Sequence, residues 1–228
     1  MPSVKVVDII FDARTLLNDA DVTRWTSLEL QRWLNAAYRE IINLRPDANS
    51  KSGTLTCVAG ARQSITSAFA SALRLLDVVR NMAATSQKNV VTLIDRASLD
   101  SARRGWVNET QTVDIEHYVF DPRLPKEFMV YPPATTSAQL EVVYSELPTP
   151  HALTEIQLNN LATAETILID DTYANAILDY VLFRAFSKDA ISPNMAARAA
   201  SHLQNMQLSL GVKTSGDDAT KPKGAAQQ

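Results

Sequence analysis

The amino-acid sequence predicts an α+β fold: a helical bundle built from both chain ends, a β-rich inserted segment and a disordered C-terminal tail. Apolar residues recur at helical spacing over 3–45 and again over 170–211. Between them, over about 50–168, short β-branched or aromatic runs alternate with polar breaks. The last residues, 213–228, include no large apolar side chain and cannot offset their own ordering entropy. We therefore expect one folded domain, 1–212, followed by a flexible tail.

Two helices are predicted in the N-terminal block. The first extends from an N-cap at Ser3 to about residue 18. The second, 27–45, begins at a capping box formed by Thr26 and Glu29 and ends before Pro46, because proline disfavours helical geometry in the residue before it. Its apolar residues follow one another at alternating spacings of four and three, so they line one face. They are Leu30, Leu34, Ala37, Ile41 and Leu44.

Strands dominate the prediction for the middle of the chain, with two short helices near 67–72 and 97–103. In 139–145 apolar and polar residues alternate, as in a strand with one buried face. Pro132 and Pro133 are expected to lie outside any central strand, because proline cannot donate to the ladder. The predicted strands are 55–58, 75–79, 89–94, 117–120, 128–131 and 139–145.

Two more helices are predicted in the C-terminal block. One begins at Asp170 or Asp171, either of which can cap it, and continues to about Lys188. The next starts at Ser192-Pro193, a serine N-cap followed by proline at the first helical position, and ends at Gly211. We expect these helices to pack with the N-terminal pair as the bundle.

Charge and cysteine content narrow the functional classes. The 228 residues include 22 Lys or Arg and 25 Asp or Glu, and the resulting net charge of −3 does not suit a protein that clamps the DNA backbone. The single cysteine, Cys57, lies in an apolar strand-like run, so a buried and inert thiol is expected. The sequence contains neither a signal-peptide pattern nor an apolar run of membrane-helix length, so no membrane anchor is expected.

The sequence shows no catalytic or metal-binding constellation. His117, His151 and His202 have no carboxylate or second histidine at metal-ligand spacing, and the motifs of phosphate loops and nucleophile elbows are absent. We therefore predict a protein that is not an enzyme and uses no metal or cofactor; a hydrolase using His151 is the lowest-ranked alternative. The basic and aromatic run 103–106 either stacks on nucleic acid or ends a helix before an anchoring tryptophan, and we favour the second interpretation.

Four residues of the predicted helices have two interpretations each. Asn35 is either solvated or hydrogen-bonded across the bundle, and we favour the hydrogen bond. Asp179 and Arg184 lie on an otherwise nearly apolar helix, where they form either a buried pair or part of a subunit contact. Trp33 lies at the edge of the apolar stripe and is either a core residue or an interface anchor. Trp33 and Arg184 are thus candidates for contacts between copies of the chain.

The order and spacing of several segments resemble the head–tail adaptor proteins of tailed bacteriophages, also called connector or head-completion proteins. The resemblance extends over roughly 3–211 and rests on soft motifs that carry no chemistry individually. These motifs are Leu17-Asn18-Asp19, Arg24-Trp25-Thr26-Ser27-Leu28-Glu29-Leu30, Trp33-Leu34-Asn35-Ala36-Ala37-Tyr38-Arg39-Glu40-Ile41-Ile42, Leu44-Arg45-Pro46-Asp47-Ala48, Leu76-Asp77-Val78-Val79-Arg80-Asn81, Phe128-Met129-Val130-Tyr131-Pro132-Pro133 and Tyr180-Val181-Leu182-Phe183-Arg184-Ala185-Phe186-Ser187-Lys188-Asp189.

The resemblance implies a structural virion protein at the head–tail junction, present in the host cytoplasm before assembly. Such proteins form a ring, commonly of twelve copies, on the portal protein. The ring extends the DNA channel, through which the genome passes without specific binding, and it carries the next tail or nozzle component. Their C-terminal segment often becomes ordered when it docks on the portal. In this sequence the corresponding segment includes Gly211, Val212, Lys213, Lys221 and Lys223.

Two alternative functions stay open. The chain could be another ring-forming neck or tail-tube component, although tail-tube proteins are dominated by sheet and the two helical blocks favour an adaptor. It could instead be a DNA-packaging or DNA-binding protein that uses helices 27–45 and 193–210, which would require a basic face. The first of these helices carries charges of both signs: Arg32, Arg39, Arg45, Glu29 and Glu40.

Overall fold

The computed structural model describes residues 2–188 and 193–220, and they form an α+β protein as predicted. The chain divides into two compact units. A helical unit comprises the residues up to Arg45 and those from Pro148 onward, and a β unit comprises Pro46–Leu147. The helices are α1 Val6–Leu17, α2 Ser27–Leu44, α3 Arg96–Ala102, α4 Glu155–Leu158, α5 Ala174–Lys188 and α6 Pro193–Thr220. The strands are β1 Ser50–Thr56, β2 Gly60–Ser64, β3 Ala72–Asn81, β4 Thr92–Leu93, β5 His117–Phe120, β6 Glu127–Ala134 and β7 Gln139–Glu146.

Helix α5 lies at the centre of the helical unit and packs against α1, α2 and α6. Most of its apolar positions are buried, which agrees with a helix whose sequence is nearly apolar around its circumference. The predicted stripe of α2 provides the facing surface: Leu30, Leu34, Ala37 and Ile41 are fully buried. Leu44, the last residue of α2, is 48% exposed, because the helix ends there and the stripe no longer faces a partner.

The ends of the N-terminal helices differ from the prediction. Helix α1 begins at Val6 rather than at Ser3, because Ser3 donates its backbone N–H and its hydroxyl to the Asp171 carboxylate instead of capping the helix. Thr26 does cap α2 by accepting the backbone N–H of Glu29. The reciprocal half of the predicted capping box is absent, since the Glu29 side chain binds Lys188 at 2.8 Å.

Helix α6 is longer than the sequence predicts. It begins at Pro193, as expected, but ends at Thr220 rather than at Gly211. A glycine ends a helix by adopting a left-handed conformation, and among the described glycines only Gly60 and Gly105 have a positive φ. The helix therefore continues through Gly211. The end of the predicted tail, 221–228, lies outside the described residues.

The β unit consists of two small sheets that enclose an apolar core. One sheet has the order β1-β7-β3 and is antiparallel, and the other has the order β2-β6-β5-β4, in which only β4 and β5 are parallel. The alternation predicted for β7 is confirmed, because Leu140, Val142 and Tyr144 are buried. In β3 every third residue is buried, since three bulges shift its register against β7. The two sheets contribute to one apolar core, whose buried residues include Leu55, Val78, Phe128 and Val130.

Several strand predictions need correction. Strand β6 runs through Pro132 and Pro133 although it is a central strand. Its pairing with β5 ends at Tyr131, and its pairing with β2 is interrupted there by a bulge, so neither proline faces an intact ladder. The predicted strand 89–94 shortens to β4, and the helix predicted at 67–72 is replaced by a 3₁₀ turn at Ile65–Ser67.

The inserted segment ends earlier than predicted. The sequence placed 148–168 in the β-rich insertion, but these residues belong to the helical unit. They return along its surface, where the backbone of Glu165 and Ile167 pairs with that of Val6 and Val4. The segment buries Leu158 and Ile167, and side chains of α2 also hold it through hydrogen bonds.

Candidate interaction surfaces of the helical unit

Two amide side chains of α2 hold the returning segment. The Asn35 Nδ2 donates to the carbonyl oxygen of His151 at 2.9 Å, and its Oδ1 accepts the His151 N–H at 2.9 Å. One turn earlier, Gln31 binds both backbone groups of Leu153 at 3.3 and 2.9 Å. Each amide thus satisfies a donor and an acceptor that a neighbouring β-strand would otherwise satisfy. The predicted hydrogen bond of Asn35 across the bundle is confirmed.

The side chain of His151 is fixed on both sides of its ring. Its Nε2 lies 2.9 Å from the hydroxyl of Tyr38, which also accepts the backbone N–H of Leu168 at 3.2 Å. The Glu165 carboxylate lies against Nδ1 on the other side of the ring. Burial raises the pKa of Tyr38, which keeps its hydroxyl protonated. Both ring nitrogens are thus engaged by the fold.

A second polar cluster joins α1, α2 and α4. The buried Arg14 guanidinium donates to Ser27 and to Asn159, which lies just after α4. The Glu155 carboxylate accepts the backbone N–H groups of Ser27 and Leu28 at 3.2 Å each, at the positive end of α2. Desolvation acts to raise the pKa of Glu155, but its hydrogen bonds from Ser27 and Leu28 outweigh it and lower the pKa.

The two predicted subunit-contact residues lie along the seam between α2 and α5. These helices are antiparallel, because Lys188 at the end of α5 binds Glu29 at the start of α2. Trp33 lies one turn after Glu29, and Arg184 lies one turn before Lys188, so both belong to the same seam. Trp33 is half-buried and Arg184 is exposed. Trp33 is therefore neither a full core residue nor a free surface residue.

Asp179 does not pair with Arg184. Its Oδ1 lies 2.8 Å from Nδ1 of His202 on α6, and both side chains are mostly shielded from solvent. The His202 ring also stacks on Phe186 at 5.6 Å with an interplanar angle of 11°. Asp179 thus joins α5 to α6 within one chain, which leaves Arg184 as the candidate for a contact between copies.

The basic and aromatic run of the β unit has the structural role that the sequence favoured. Trp106 is 2% exposed, and its Nε1 donates to Asp100 at 2.7 Å. Arg103 follows α3, lies over the Tyr131 ring at 5.5 Å and binds Glu109 at 3.5 Å. Trp106 therefore anchors the loop after a short helix, and its ring does not present a stacking surface.

The single thiol of the chain is buried. Cys57 is 3% exposed, and burial raises its pKa to about 12, so the thiol stays protonated at neutral pH. Across residues 2–188 and 193–220 no three His, Cys, Asp or Glu side chains are grouped to hold a metal ion. Over the same residues, every helix is too short or too polar to cross a membrane.

Comparison with known families adds to this geometry. A family model described as SU10 adaptor protein matches residues 4–226, which include both units. The chain belongs to the SU10 adaptor protein family. No curated protein sequence matches it. The resemblance to phage adaptors is thereby confirmed at the level of the family, and the chain is a structural adaptor protein of a phage virion.

The predicted portal-docking residues of the adaptor lie in the last part of α6 and after it. The carbonyl oxygen of Leu210 accepts a hydrogen bond from Nη1 of Arg45, the residue that follows α2. Gly211 is exposed and comes directly after this contact, and Val212 and Lys213 continue α6. Lys221 and Lys223 lie outside the described residues.

One contact of the adaptor was not predicted from its sequence. Gln31 holds the segment 148–168 together with Asn35, which follows it by four residues and shares its face of α2. Two amide side chains spaced by four, each directly after a residue of the apolar stripe, are a sequence signal that indicates an adjacent extended segment.

Proposed function

We propose that this adaptor is a non-enzymatic virion protein that docks as a ring on the phage portal, extends the DNA channel and links the head to the tail. The family assignment supports a structural adaptor. As in the proteins it resembles, the ring would commonly contain twelve copies, with the next tail or nozzle component on its far side. The adaptor would act in the virion, at the head–tail junction, and be present in the host cytoplasm before assembly.

The observation that carries this proposal is the length of α6, which extends ten residues beyond its contact with Arg45 at Leu210. Arg45, just after the end of α2, contacts α6 at Leu210, and α6 continues to Thr220. At 1.5 Å per residue, this extension measures about 15 Å. It supplies a helical element that is continuous with the core of the helical unit and that a portal ring could bind.

Electrostatics agree with a channel component. The adaptor carries a net charge of −3, so its ring would not hold the phosphate backbone tightly. DNA would then pass through without specific contacts. Assembly into the ring needs two different surfaces on each copy, because a heterologous contact joins one patch to another. Trp33 and Arg184, on the seam between α2 and α5, are candidates for one of them.

The test compares native masses of the adaptor alone, of portal rings alone and of their mixture, using the portal of the same phage. We expect near-stoichiometric adaptor rings on the portal. A variant that ends at Val212 should lose only the helical circular dichroism of 213–220 and keep the urea midpoint of the full chain, because the deleted residues include no large apolar side chain. It should bind the portal more weakly. The paired change Lys221→Ala and Lys223→Ala separates the charge of this segment from its length.

Other outcomes would assign a different function. Stacked rings or tubes that form without portal would indicate a tail-tube component. A chain that stays monomeric with portal, and binds DNA with strong salt dependence, would indicate a DNA-binding protein. Equal portal binding by the full and truncated chains would show that the extension of α6 is dispensable.

A further inference from the structure

Helices α1 and α2 present faces of opposite charge to solvent. Asp8 and Asp12 are exposed and lie one turn apart on α1, and Arg32 and Arg39 are exposed and lie two turns apart on α2. Within the part of the chain that the structure describes, none of these four side chains forms an ion pair or a hydrogen bond. The helical unit therefore has an aspartate face on α1 and an arginine face on α2.

The acidic residues of α2 do not neutralise the arginine face. Glu29 binds Lys188 at 2.8 Å and is thus used inside the helical unit. Glu40 is half-buried and lies about 100° around the helix from Arg39, on the flank that carries Glu29. Arg45, the third arginine of this region, is buried and donates to the Leu210 carbonyl. The two outward charges on α2 are therefore both positive.

Both faces also have apolar neighbours. The half-buried Phe11 and the 53% exposed Leu16 flank the aspartates of α1. Leu28, 39% exposed, lies one turn before Arg32 and flanks the arginines of α2. Arginine is enriched in protein–protein interfaces, and an exposed aliphatic side chain beside it suits such a contact. A surface that only tracks phosphates needs no such apolar flank.

We propose that the arginine face of one copy docks on the aspartate face of the next copy in the ring. This inference rests on the proposed ring and names its subunit contact. Two positive charges meet two negative ones, and the two faces belong to different helices that both pack on α5. The contact is heterologous, so each copy keeps one face of each kind for its neighbours until the ring closes. Complementary charge also selects the head-to-tail pairing against the like-charged one.

Charge reversal tests the contact directly. The variant Arg32→Glu with Arg39→Glu, and the variant Asp8→Lys with Asp12→Lys, should each reduce adaptor rings on portal by about tenfold or more. A chain that carries all four changes should restore ring formation, because the reversed faces are again complementary. The matched control, Arg104→Glu with Arg123→Glu, changes exposed arginines of the β unit by the same total charge and should form rings normally.

The possible results separate the two proposals. If the unaltered chain forms no ring with or without portal, both the ring and its contact are refuted. If the unaltered chain forms rings and the reversed chains do so equally well, the contact is refuted and the ring stands. The contact is also refuted if the control fails like the reversed variants, or if the four-fold variant does not recover. Loss of salt-dependent DNA binding with intact rings would instead assign the arginine face to nucleic acid.

Cross-linking gives a second readout. The native thiol is buried, so the only accessible cysteines are those introduced by Asp12→Cys, at an exposed position of the aspartate face, and by Ala36→Cys, at a half-buried position between Arg32 and Arg39. Oxidation of assembled rings should give a ladder of covalently linked multimers, and either single variant should give dimers at most. Rings that form but give no ladder would overturn the contact.

Discussion

Replacing Asn35 with alanine would test whether side-chain amides really hold the returning segment. The change removes the partners of two backbone groups at once, the N–H and the carbonyl of His151. His151 is 5% exposed, so water does not readily replace these hydrogen bonds. An unsatisfied buried polar group costs about 1–3 kcal/mol. Because Asn35 itself is half-buried, we expect the lower part of the combined range, about 2–4 kcal/mol of unfolding free energy.

Asn43 provides the matched control for this experiment. It lies on the same helix, is exposed, and forms no hydrogen bond among the described residues. Alanine has a higher helix propensity than asparagine by about 0.6 kcal/mol, and both variants gain this amount. The difference in unfolding free energy between Asn35→Ala and Asn43→Ala therefore measures the hydrogen bonds alone.

The assay is urea denaturation followed by circular dichroism at 222 nm, a signal dominated by helices. Asn35→Ala should unfold at a lower urea midpoint than Asn43→Ala, with a similar slope. A difference below about 0.5 kcal/mol would refute the role of the amide, since that is within the usual effect of a surface substitution.

The variant Asn35→Asp adds a pH signature. Its carboxylate can still accept the His151 N–H but would face the His151 carbonyl without a proton to donate. The neutral acid is the favoured form in the folded state, so the folded pKa of this aspartate should lie above its unfolded value. Its stabilising contribution is then present at low pH and is lost as the pH rises through the folded pKa. A pH-independent cost would contradict this geometry.

Three further predictions concern the helical unit. Tyr38→Phe removes the acceptor of the Leu168 N–H and should cost about 1–3 kcal/mol, whereas Tyr180→Phe, whose hydroxyl has no described partner, should change the urea midpoint little. Burial acts to raise the pKa of Asp19, but hydrogen bonds from three backbone N–H groups outweigh it and lower the pKa. The carboxylate should therefore stabilise the fold fully above about pH 4, and this contribution should be lost as the pH falls through the pKa of Asp19 in the folded state. The pH dependence of the urea midpoint should lack this contribution in Asp19→Asn. Trp33→Ala should cost less than the roughly 3–5 kcal/mol of a fully buried aromatic, measured by the same denaturation, and should weaken ring formation on portal by native mass.

The elements that could be predicted are those whose sequence signals act locally. Helix α2 has an N-cap threonine, an apolar stripe with a helical period, and a proline after its end, and all three signals agree. Strand β7 has clear alternation and is the central strand of its sheet. In both cases the pattern of burial follows from the period of the element itself.

The returning segment 148–168 could not be placed in the same way. It carries no helical or alternating period over most of its length, and its position depends on partners more than 100 residues earlier in the chain, such as Asn35. Pro132 and Pro133 were excluded from β6 for a sound local reason. The bulge that makes them acceptable lies in β6 itself, where 130–133 face a single residue of β2, and it is defined only by the pairing with that partner strand.

Helix α2 meets different requirements on its different faces. Its apolar stripe packs on α5, its amides hold the returning segment, and Arg32 and Arg39 face solvent. Because the arginines take part in neither of the first two contacts, their reversal should leave the urea midpoint almost unchanged while it prevents assembly. Asn35→Ala should do the opposite: it lowers stability without changing the charge of the arginine face. An adaptor arranged in this way can keep its fold as a free subunit, since the residues that bind the neighbouring copy are not those that hold the helix in place.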